Sequence, residues 1–250
     1  MKKLFFLSFI VSISIATNAQ GIKNVLNKAT KKDSAGNNSI NTIFKKTSAN
    51  GLTSDEIING LKEALSIGTE NAAQKLARTD GFFKDAVLKI LMPPEAQKVE
   101  KTLRGLGMGK QVDNAILSMN RAAEDASKKA APIFINAIKG MSIKDGLGIL
   151  QGGDLAATNY LKEKTAASLA EAFKPVIESS LQKVDATKYW NTVFTTYNKF
   201  SSEKVNTDLL AYVTEKALAG LYYGIGQEEQ KIRKDPMART TELLKKVFSK

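Results

Sequence analysis

The sequence predicts an all-α protein, an irregular bundle of about eight to ten helices with no β-sheet. Apolar residues recur at spacings of three and four from Thr53 to the end of the chain, which is the period of an amphipathic helix. No segment alternates apolar and polar residues over more than a few positions, as a half-buried strand does. The chain has 250 residues and no cysteine, so we expect a large apolar core to stabilise it rather than disulfides.

The first residues have the pattern of a secretory signal peptide. Met1-Lys2-Lys3 precedes an apolar stretch from Leu4 to Ile15, and the small residue Ala19 ends the segment. We therefore expect residues 1–19 to be a signal peptide that is cleaved between Ala19 and Gln20. No later window reaches the ~20 apolar residues of a spanning helix. The prediction is an exported protein that is not integral to the membrane and, lacking cysteine, not a lipoprotein.

Residues 20–51 are predicted to form a basic and largely flexible arm, followed by a single helical domain over residues 52–250. The arm is rich in Ser, Asn and Gly, and it has one acidic residue, Asp33, against six lysines: Lys23, Lys28, Lys31, Lys32, Lys45 and Lys46. Because an exported protein rarely meets nucleic acid, we predict an envelope lipid or an anionic polymer as its partner, and no nucleic acid.

The first helix of the domain is predicted from a capping box, Thr53-Ser54-Asp55-Glu56. Gly68 lies within this helix and has two interpretations, a close approach of another helix or a break. The apolar stripe of the helix consists of Ile57, Leu61, Ala64, Leu65, Ala72 and Leu76.

The next segment, Phe82 to Met92, is apolar and irregular, and it predicts either a short helix or an extended strap. Pro94 suits the first turn of a helix that runs to Leu106, with Gly107 as its stop. Another helix starts near Lys110, and Pro132 kinks or divides it before Gly140 ends the run. Its inward residues are predicted to be Val112, Ile116, Met119, Ala123 and Ala126.

Three further helices are predicted for Ser142 to Leu150, Asp154 to Lys164 and Thr165 to Val184. Gly152-Gly153 forms the turn between the first two, with Asp154 as N-cap. The third helix is predicted to be interrupted at Pro175.

The last third of the chain predicts an aromatic-rich helix and two more. Lys188 to Phe200 has Tyr189, Trp190, Phe194 and Tyr197 at near-helical spacing, which favours a core-facing helix. Asn206 is predicted to cap a long helix through Lys231. Asp235-Pro236 then opens a final amphipathic helix that ends at Phe248.

The composition excludes several chemistries because the chain contains neither histidine nor cysteine. Without them there is no Ser-His-Asp or Cys-His arrangement and no ordinary zinc site. We predict no cofactor and no metal. The glycines Gly105, Gly107 and Gly109 lack the spacing of a phosphate-binding loop, and they indicate a helix stop and restart.

Carboxylates remain as candidate catalytic groups. On a helical wheel Glu228 falls in the middle of the apolar stripe of the long helix, with Glu229 and Glu215 at its margin. One interpretation is a general acid of raised pKa, as in helical glycan-cleaving enzymes. The other is a structural ion pair with Arg121, Arg233 or Arg239, or a helix end that has already reached solvent.

Several motifs together indicate a family. They are Gly60-Leu61-Lys62-Glu63-Ala64-Leu65, Leu106-Gly107-Met108-Gly109-Lys110, Met119-Asn120-Arg121-Ala122-Ala123-Glu124, Gly152-Gly153-Asp154, Tyr212-Val213-Thr214-Glu215-Lys216-Ala217, and Glu228-Glu229 through Arg233 to Arg239 and Phe248. From Gly51 to Phe248 the chain resembles the exported bacterial family known as domain of unknown function 4197. The resemblance implies a helical domain and the periplasm of a Gram-negative bacterium.

The family's recurring polar positions correspond to a set that is either a ligand site or a buried polar network. The set is Asn120, Arg121, Glu124, Glu215, Lys216, Glu228, Arg233 and Arg239.

Our leading hypothesis is a non-enzymatic periplasmic binding or scaffold protein, whose helical core holds an apolar ligand or whose basic arm contacts anionic envelope surfaces. The alternative is a carboxylate-based hydrolase or lyase that acts on envelope polymer, with Glu228 as the acid and Glu215 or Glu229 assisting. A third hypothesis is an assembly partner of another envelope protein.

Overall fold

The structure, a computed structural model, describes residues 53–183, 208–239 and 241–247, together with positions 190, 191, 194, 195, 197–199 and 204. These residues form helices and turns without any strand, which confirms the predicted all-α class. The chain divides into two compact units, Met1–Ser54 and Asp55–Lys250, and the second is the helical domain. The predicted signal peptide and basic arm lie outside the described residues.

Helix α1 spans Ser54–Ala77 and starts where the predicted capping box placed it. It buries the predicted stripe apart from Ile57, which is only partly buried. The neighbouring Ile58 is buried instead. The helix is unbroken at Gly68. A Cβ atom at Gly68 would lie 3.7 Å from the Glu228 Cβ and 3.8 Å from the Ile232 Cδ1, so α1 approaches the last long helix at an ordinary van der Waals distance.

Residues 80–92 form an irregular strap rather than a helix. The segment consists of turns, and Phe82, Ile90 and Met92 are buried while the positions between them lie nearer the surface. Asp80 opens the strap with a φ of 70°, a left-handed conformation that Asp tolerates better than most residues. A strap without regular structure needs other partners for its backbone N–H and C=O groups.

After the strap, a 3-10 turn at Pro94–Ala96 leads into α2, Gln97–Gly105. The predicted stop is confirmed, because Gly107 has a φ of 81°. The Gly107 N–H donates to the Arg104 carbonyl and the Met108 N–H donates to the Leu103 carbonyl, which is the Schellman pattern. Helix α3, Gly109–Ser127, buries all five predicted inward residues, and α4, Ala130–Lys139, follows with Pro132 in its first turn.

Helix α5, Ile143–Gln151, begins at a capping box between Ser142 and Asp145. The two helices predicted next are in fact one, α6, Ala156–Gln182. Thr165 lies inside α6 and does not start a helix. Its buried hydroxyl donates to the Leu161 carbonyl one turn earlier and lies 2.9 Å from the Tyr222 hydroxyl. Asp154 is not the N-cap either, and it pairs with Lys234 on the surface.

Pro175 lies inside α6 and does not interrupt it, contrary to the prediction. On either side of the proline the helix buries Leu169, Phe173, Ile177 and Leu181 completely. Burying four such side chains contributes roughly 1.5–3 kcal/mol each, which exceeds the ~3 kcal/mol that an interior proline costs.

Helix α7 spans Leu209–Lys234, followed by a 3-10 turn, Pro236–Ala238, and by α8, Glu242–Val247. Its N-cap is Asp208, whose carboxylate accepts from the Ala211 N–H, and the predicted cap Asn206 lies outside the described residues. Helices α3, α6 and α7 pack against one another, and α4 and α5 pack on α6. Trp190 and Phe194 are buried with their rings 4.3 Å apart, as the aromatic spacing predicted.

No helix among the described residues is both long enough and apolar enough to cross a bilayer.

Candidate functional site

The predicted polar positions fall into two separate groups and a remainder. Asn120, Arg121 and Glu124 lie on α3 and face the strap. The second group consists of Arg233 near the end of α7 and Arg239 beyond that end, together with Glu229, one of the candidate catalytic carboxylates. The remainder consists of Glu215, Lys216 and Glu228, whose surroundings differ from those of both groups.

Asn120 binds the end of the strap with both ends of its amide. It is fully buried, its Oδ1 accepts from the Ile90 N–H at 2.8 Å, and its Nδ2 donates to the Ile90 carbonyl at 2.8 Å. The same Nδ2 donates to the Ile116 carbonyl at 2.7 Å. The side chain therefore acts toward Ile90 as a neighbouring β-strand would, by satisfying both of its backbone polar groups.

Glu124 and Arg121 hold the start of the strap. One oxygen of the buried Glu124 carboxylate accepts from the Phe82 and Phe83 N–H groups at 3.1 and 3.2 Å. The other accepts from Arg121 at 2.6 Å, and Arg121 also donates to Asp80 at 2.7 Å. A buried carboxylate is stable when it is both paired and hydrogen-bonded, and Glu124 meets both conditions.

The charges at this end of the strap shift the pKa values of Asp80 and Arg121. The ion pair with Lys84, and next the one with Arg121, lower the pKa of Asp80. The hydrogen bond from Arg121 to Glu124 is the largest cause that raises the pKa of the guanidinium. Both groups are therefore held in their charged forms at neutral pH.

Glu229 caps a helix to which it does not belong. Its carboxylate accepts from the Ala157 N–H at 3.0 Å, and from the Thr158 N–H and hydroxyl at 2.8 Å each. These N–H groups lie in the first turn of α6, where a helix has no acceptors of its own. A carboxylate at this position also interacts favourably with the helix dipole.

Arg233 and Arg239 bind carbonyl groups at the ends of two other helices, α5 and α7. Arg233 pairs with Glu229 at 2.8 Å and donates to the Ile149 carbonyl near the end of α5. Arg239 donates to the Ile232 and Arg233 carbonyls in the last turn of α7. The first turn of α6 and the last turns of α5 and α7 are thus joined through one buried ion pair and one arginine.

The remaining carboxylates do not converge with this group. Of the two adjacent glutamates, Glu229 is buried, only 8% exposed, whereas Glu228 is half-exposed. The helical wheel was therefore wrong to place Glu228 in the middle of the apolar stripe. Glu215 and Lys216 are exposed on α7. At ~1.5 Å per residue, Glu215 lies roughly 20 Å along the helix from Glu228.

Among the described residues, one cavity adjoins Glu229 and Arg233, and a separate groove on the surface is lined by none of the predicted polar positions. A small, partly open cavity of about 30 Å³ lies between α1, α5, α6 and α7, lined mainly by apolar side chains and by Gly68, Thr69 and Glu229. A surface groove of about 490 Å³ lies between α3 and α6, with Lys128, Lys129 and Lys183 at its rim. The described residues contain no group of three acidic side chains arranged to hold a metal ion.

Sequence reasoning missed the partners of the polar positions. Asp80 and Thr158 complete the two groups, yet each lies far from its partner along the chain. Local sequence patterns do not indicate contacts between residues that lie this far apart along the chain.

The fold and these contacts define an all-helical domain whose buried charges bind its own backbone. The chain belongs to the family described as "Protein of unknown function (DUF4197)", whose model matches residues 51–249. This confirms the resemblance seen in the sequence. No curated protein and no solved structure matches the chain.

Proposed function

We propose that this protein is a non-enzymatic binding or scaffold protein of the bacterial envelope, exported to the periplasm, which acts through its outer surface. Its ligand in this proposal is an anionic envelope surface, either lipid or polymer.

One observation carries the proposal. The buried polar groups that resemble a site, Asn120, Glu124 and Glu229, are engaged by backbone groups and arginines of the same chain. A catalytic or binding group must direct at least one polar atom toward a substrate. These side chains instead direct theirs at the strap and at α6, which favours a structural role.

The size of the cavity supports a surface function over a core ligand. A water molecule needs ~10–15 Å³, so the cavity of about 30 Å³ has room for one or two water molecules. An apolar ligand of lipid size would require the helices to separate. We therefore favour the outer surface over the core as the place of binding.

The excess of basic residues in the chain supports an anionic partner. The chain has 37 basic and 25 acidic residues, and its predicted arm is strongly basic. On the folded domain, Lys129 and Lys183 are exposed at the rim of the groove and make no ion pair with any described residue. Basic segments of this kind are attracted to anionic lipid by about 1 kcal/mol per residue near the surface.

Vesicle and polymer binding test the proposal directly. The full chain is expected to co-sediment with vesicles that contain phosphatidylglycerol or with acidic wall polymer, and to be released as the salt concentration rises from 0.05 to ~0.5 M, because screening shortens the Debye length. Binding to neither surface would overturn the proposal.

Native mass spectrometry of the protein purified gently from envelopes tests the core. We expect the mass of the protein alone. A near-stoichiometric apolar molecule would place the ligand inside and contradict a surface role.

The enzymatic hypothesis has its own test. The full chain is expected to leave envelope polymer unchanged. Turnover by the wild type that is lost in Glu228→Gln, with folding intact, would contradict the non-enzymatic proposal.

A further inference from the structure

The turn between α2 and α3 presents two apolar side chains to solvent. We name residues 105–110 the α2–α3 tip. Leu106 is 71% exposed and Met108 is 38% exposed. A Cβ atom added at Gly105 or Gly107 would have no heavy atom within 4 Å, so the tip stands clear of the rest of the protein.

The tip is held firmly although the described part of the chain leaves Leu106 and Met108 exposed. Val99 is buried and Leu103 packs against the core, which fixes α2 on α3. Arg104 joins the two helices behind the tip, because it binds Glu100 at 2.9 Å and Asp113 at 2.7 Å. The Schellman bonds fix the backbone of the turn itself.

The charge around the tip is positive. Arg104 engages the two carboxylates nearest the turn, Glu100 and Asp113. Lys101 and Lys110 flank the two apolar side chains, are exposed, and have no ion pair in the described part of the chain. Two exposed apolar side chains between lysines form a pattern typical of a protein segment that enters the headgroup region of an anionic bilayer.

We infer that the α2–α3 tip is a membrane-contact site, which inserts Leu106 and Met108 into the headgroup region of an anionic lipid surface while Lys101 and Lys110 bind lipid phosphates. This inference rests on the proposed envelope function and names one of its contact surfaces. The apolar side chains would leave water on binding, and the lysines would gain the counter-charges that they lack in the folded protein.

A fluorophore at the tip tests the inference. Because the chain has no cysteine, Met108→Cys can be labelled at one position with an environment-sensitive dye in the full chain. Its emission is expected to shift to the blue with vesicles of equal phosphatidylglycerol and phosphatidylcholine, and to stay unchanged with phosphatidylcholine alone. The control is Met237→Cys, labelled at a position that is 88% exposed and elsewhere in sequence, where no shift is expected.

Lysine variants test the charge contribution. Lys101→Gln with Lys110→Gln is expected to raise the lipid concentration at half-maximal shift about 25-fold, at roughly fivefold per lysine. The matched control, Lys162→Gln with Lys174→Gln, removes the same charge from exposed positions on α6 and is expected to change it much less.

Four results would overturn the inference. A chain that co-sediments with anionic vesicles while the dye at position 108 stays in water would remove the tip as the contact and leave the proposed function intact. Equal shifts at positions 108 and 237 would show non-specific adsorption. A shift that requires another envelope protein would identify a protein partner in place of lipid. Failure of the chain to bind any anionic surface would instead contradict the proposed function as well.

Discussion

At the scale of single residues, Glu229 has the most consequential contacts of the acidic side chains on α7. Its carboxylate is almost completely buried, and it accepts from two backbone N–H groups, one hydroxyl and one guanidinium. Removing it would leave Arg233, whose side chain is only 15% exposed, without its carboxylate partner, and the first turn of α6 without a cap. Breaking a buried pair in this way is far more destabilising than losing an exposed one.

We therefore predict that Glu229→Ala lowers the free energy of unfolding by about 3–5 kcal/mol. Glu228→Ala is the matched control, since it keeps the Cβ that lies against Gly68 and removes a half-exposed carboxylate. Its expected effect is within ~0.5 kcal/mol. Urea unfolding followed by circular dichroism measures both, and equal effects of the two variants would contradict the capping role.

The ion pairs of Asp80 make the stability of the strap dependent on pH. The pKa of its carboxyl lies below the ordinary value of 3.8, mainly because of Lys84 and then Arg121. A carboxyl whose pKa is lowered by folding contributes stability above its unfolded pKa, and this contribution is lost as the pH falls through the folded pKa. The contribution is therefore complete at neutral pH and disappears in acid below about pH 4.

Comparing the wild type with Asp80→Asn isolates this contribution, because Asn also tolerates the positive φ at this position. We predict that the wild type has the higher urea midpoint at pH 7 and that the difference shrinks as the pH falls below the ordinary carboxyl pKa of 3.8. Glu163→Gln, which loses an exposed pair with Lys164, is the control and is expected to change little at either pH. A difference between the wild type and Asp80→Asn that persists in acid would show that the ion pairs are not its source.

At the scale of elements, the strap depends on α3 for bonds that it cannot make itself. It has no regular structure, and both ends bind side chains of that helix through Phe82, Phe83 and Ile90. An element held by few side chains opens more readily than a helix does.

We predict that Asn120→Ala releases the end of the strap and speeds tryptic cleavage after Lys84 or Lys89 roughly thirtyfold. This factor corresponds to ~2 kcal/mol for leaving the Ile90 backbone groups unsatisfied. Limited proteolysis with mass spectrometry of the fragments measures it. Asn114→Ala, an exposed position on the same helix, is the control, and faster cleavage elsewhere in the chain without cleavage in the strap would refute the assignment.

The elements that the sequence predicted well are those whose signals are local. The capping box before α1, the Gly107 stop and the inward stripe of α3 depend on residues within a few turns of each other. Pro175 and Thr165 misled the prediction because their local preferences oppose the helix, while the burial that overrides them comes from α3 and α7. Tertiary packing of this kind has no signature in a single helical window.

The candidate site was harder to predict than the fold for the same reason. A wheel places Glu228 and Glu229 only ~100° apart, and the helices on either side of α7 decide which of the two is buried. The partners of Glu229 come from α6 and α7, and Arg233 in turn binds the Ile149 carbonyl of α5. The residue types of the polar positions could be found from the sequence, but their division into two groups required the packed structure.

At the scale of the whole molecule, the proposed function depends on the compartment that the protein reaches. The helical domain is only mildly basic, whereas the predicted arm has six lysines and one acidic residue, so anionic surfaces of the envelope attract the arm more strongly. Such an interaction requires export and, by the pattern of the first residues, removal of residues 1–19. Processing at this position is therefore a condition for the surface role that we propose.

We predict that the full chain, expressed in a Gram-negative host, appears in the periplasmic fraction with Gln20 as its first residue. Signal peptidases require a small residue immediately before the cleaved bond, which is Ala19 here. Ala19→Leu is expected to leave the precursor uncleaved, whereas Ala16→Leu, at a position without this requirement, is expected to be processed normally. Intact-mass measurement and N-terminal sequencing of both fractions decide the question. A chain that keeps Met1 and remains in the cytoplasm would contradict export and, with it, the proposed contact with the envelope.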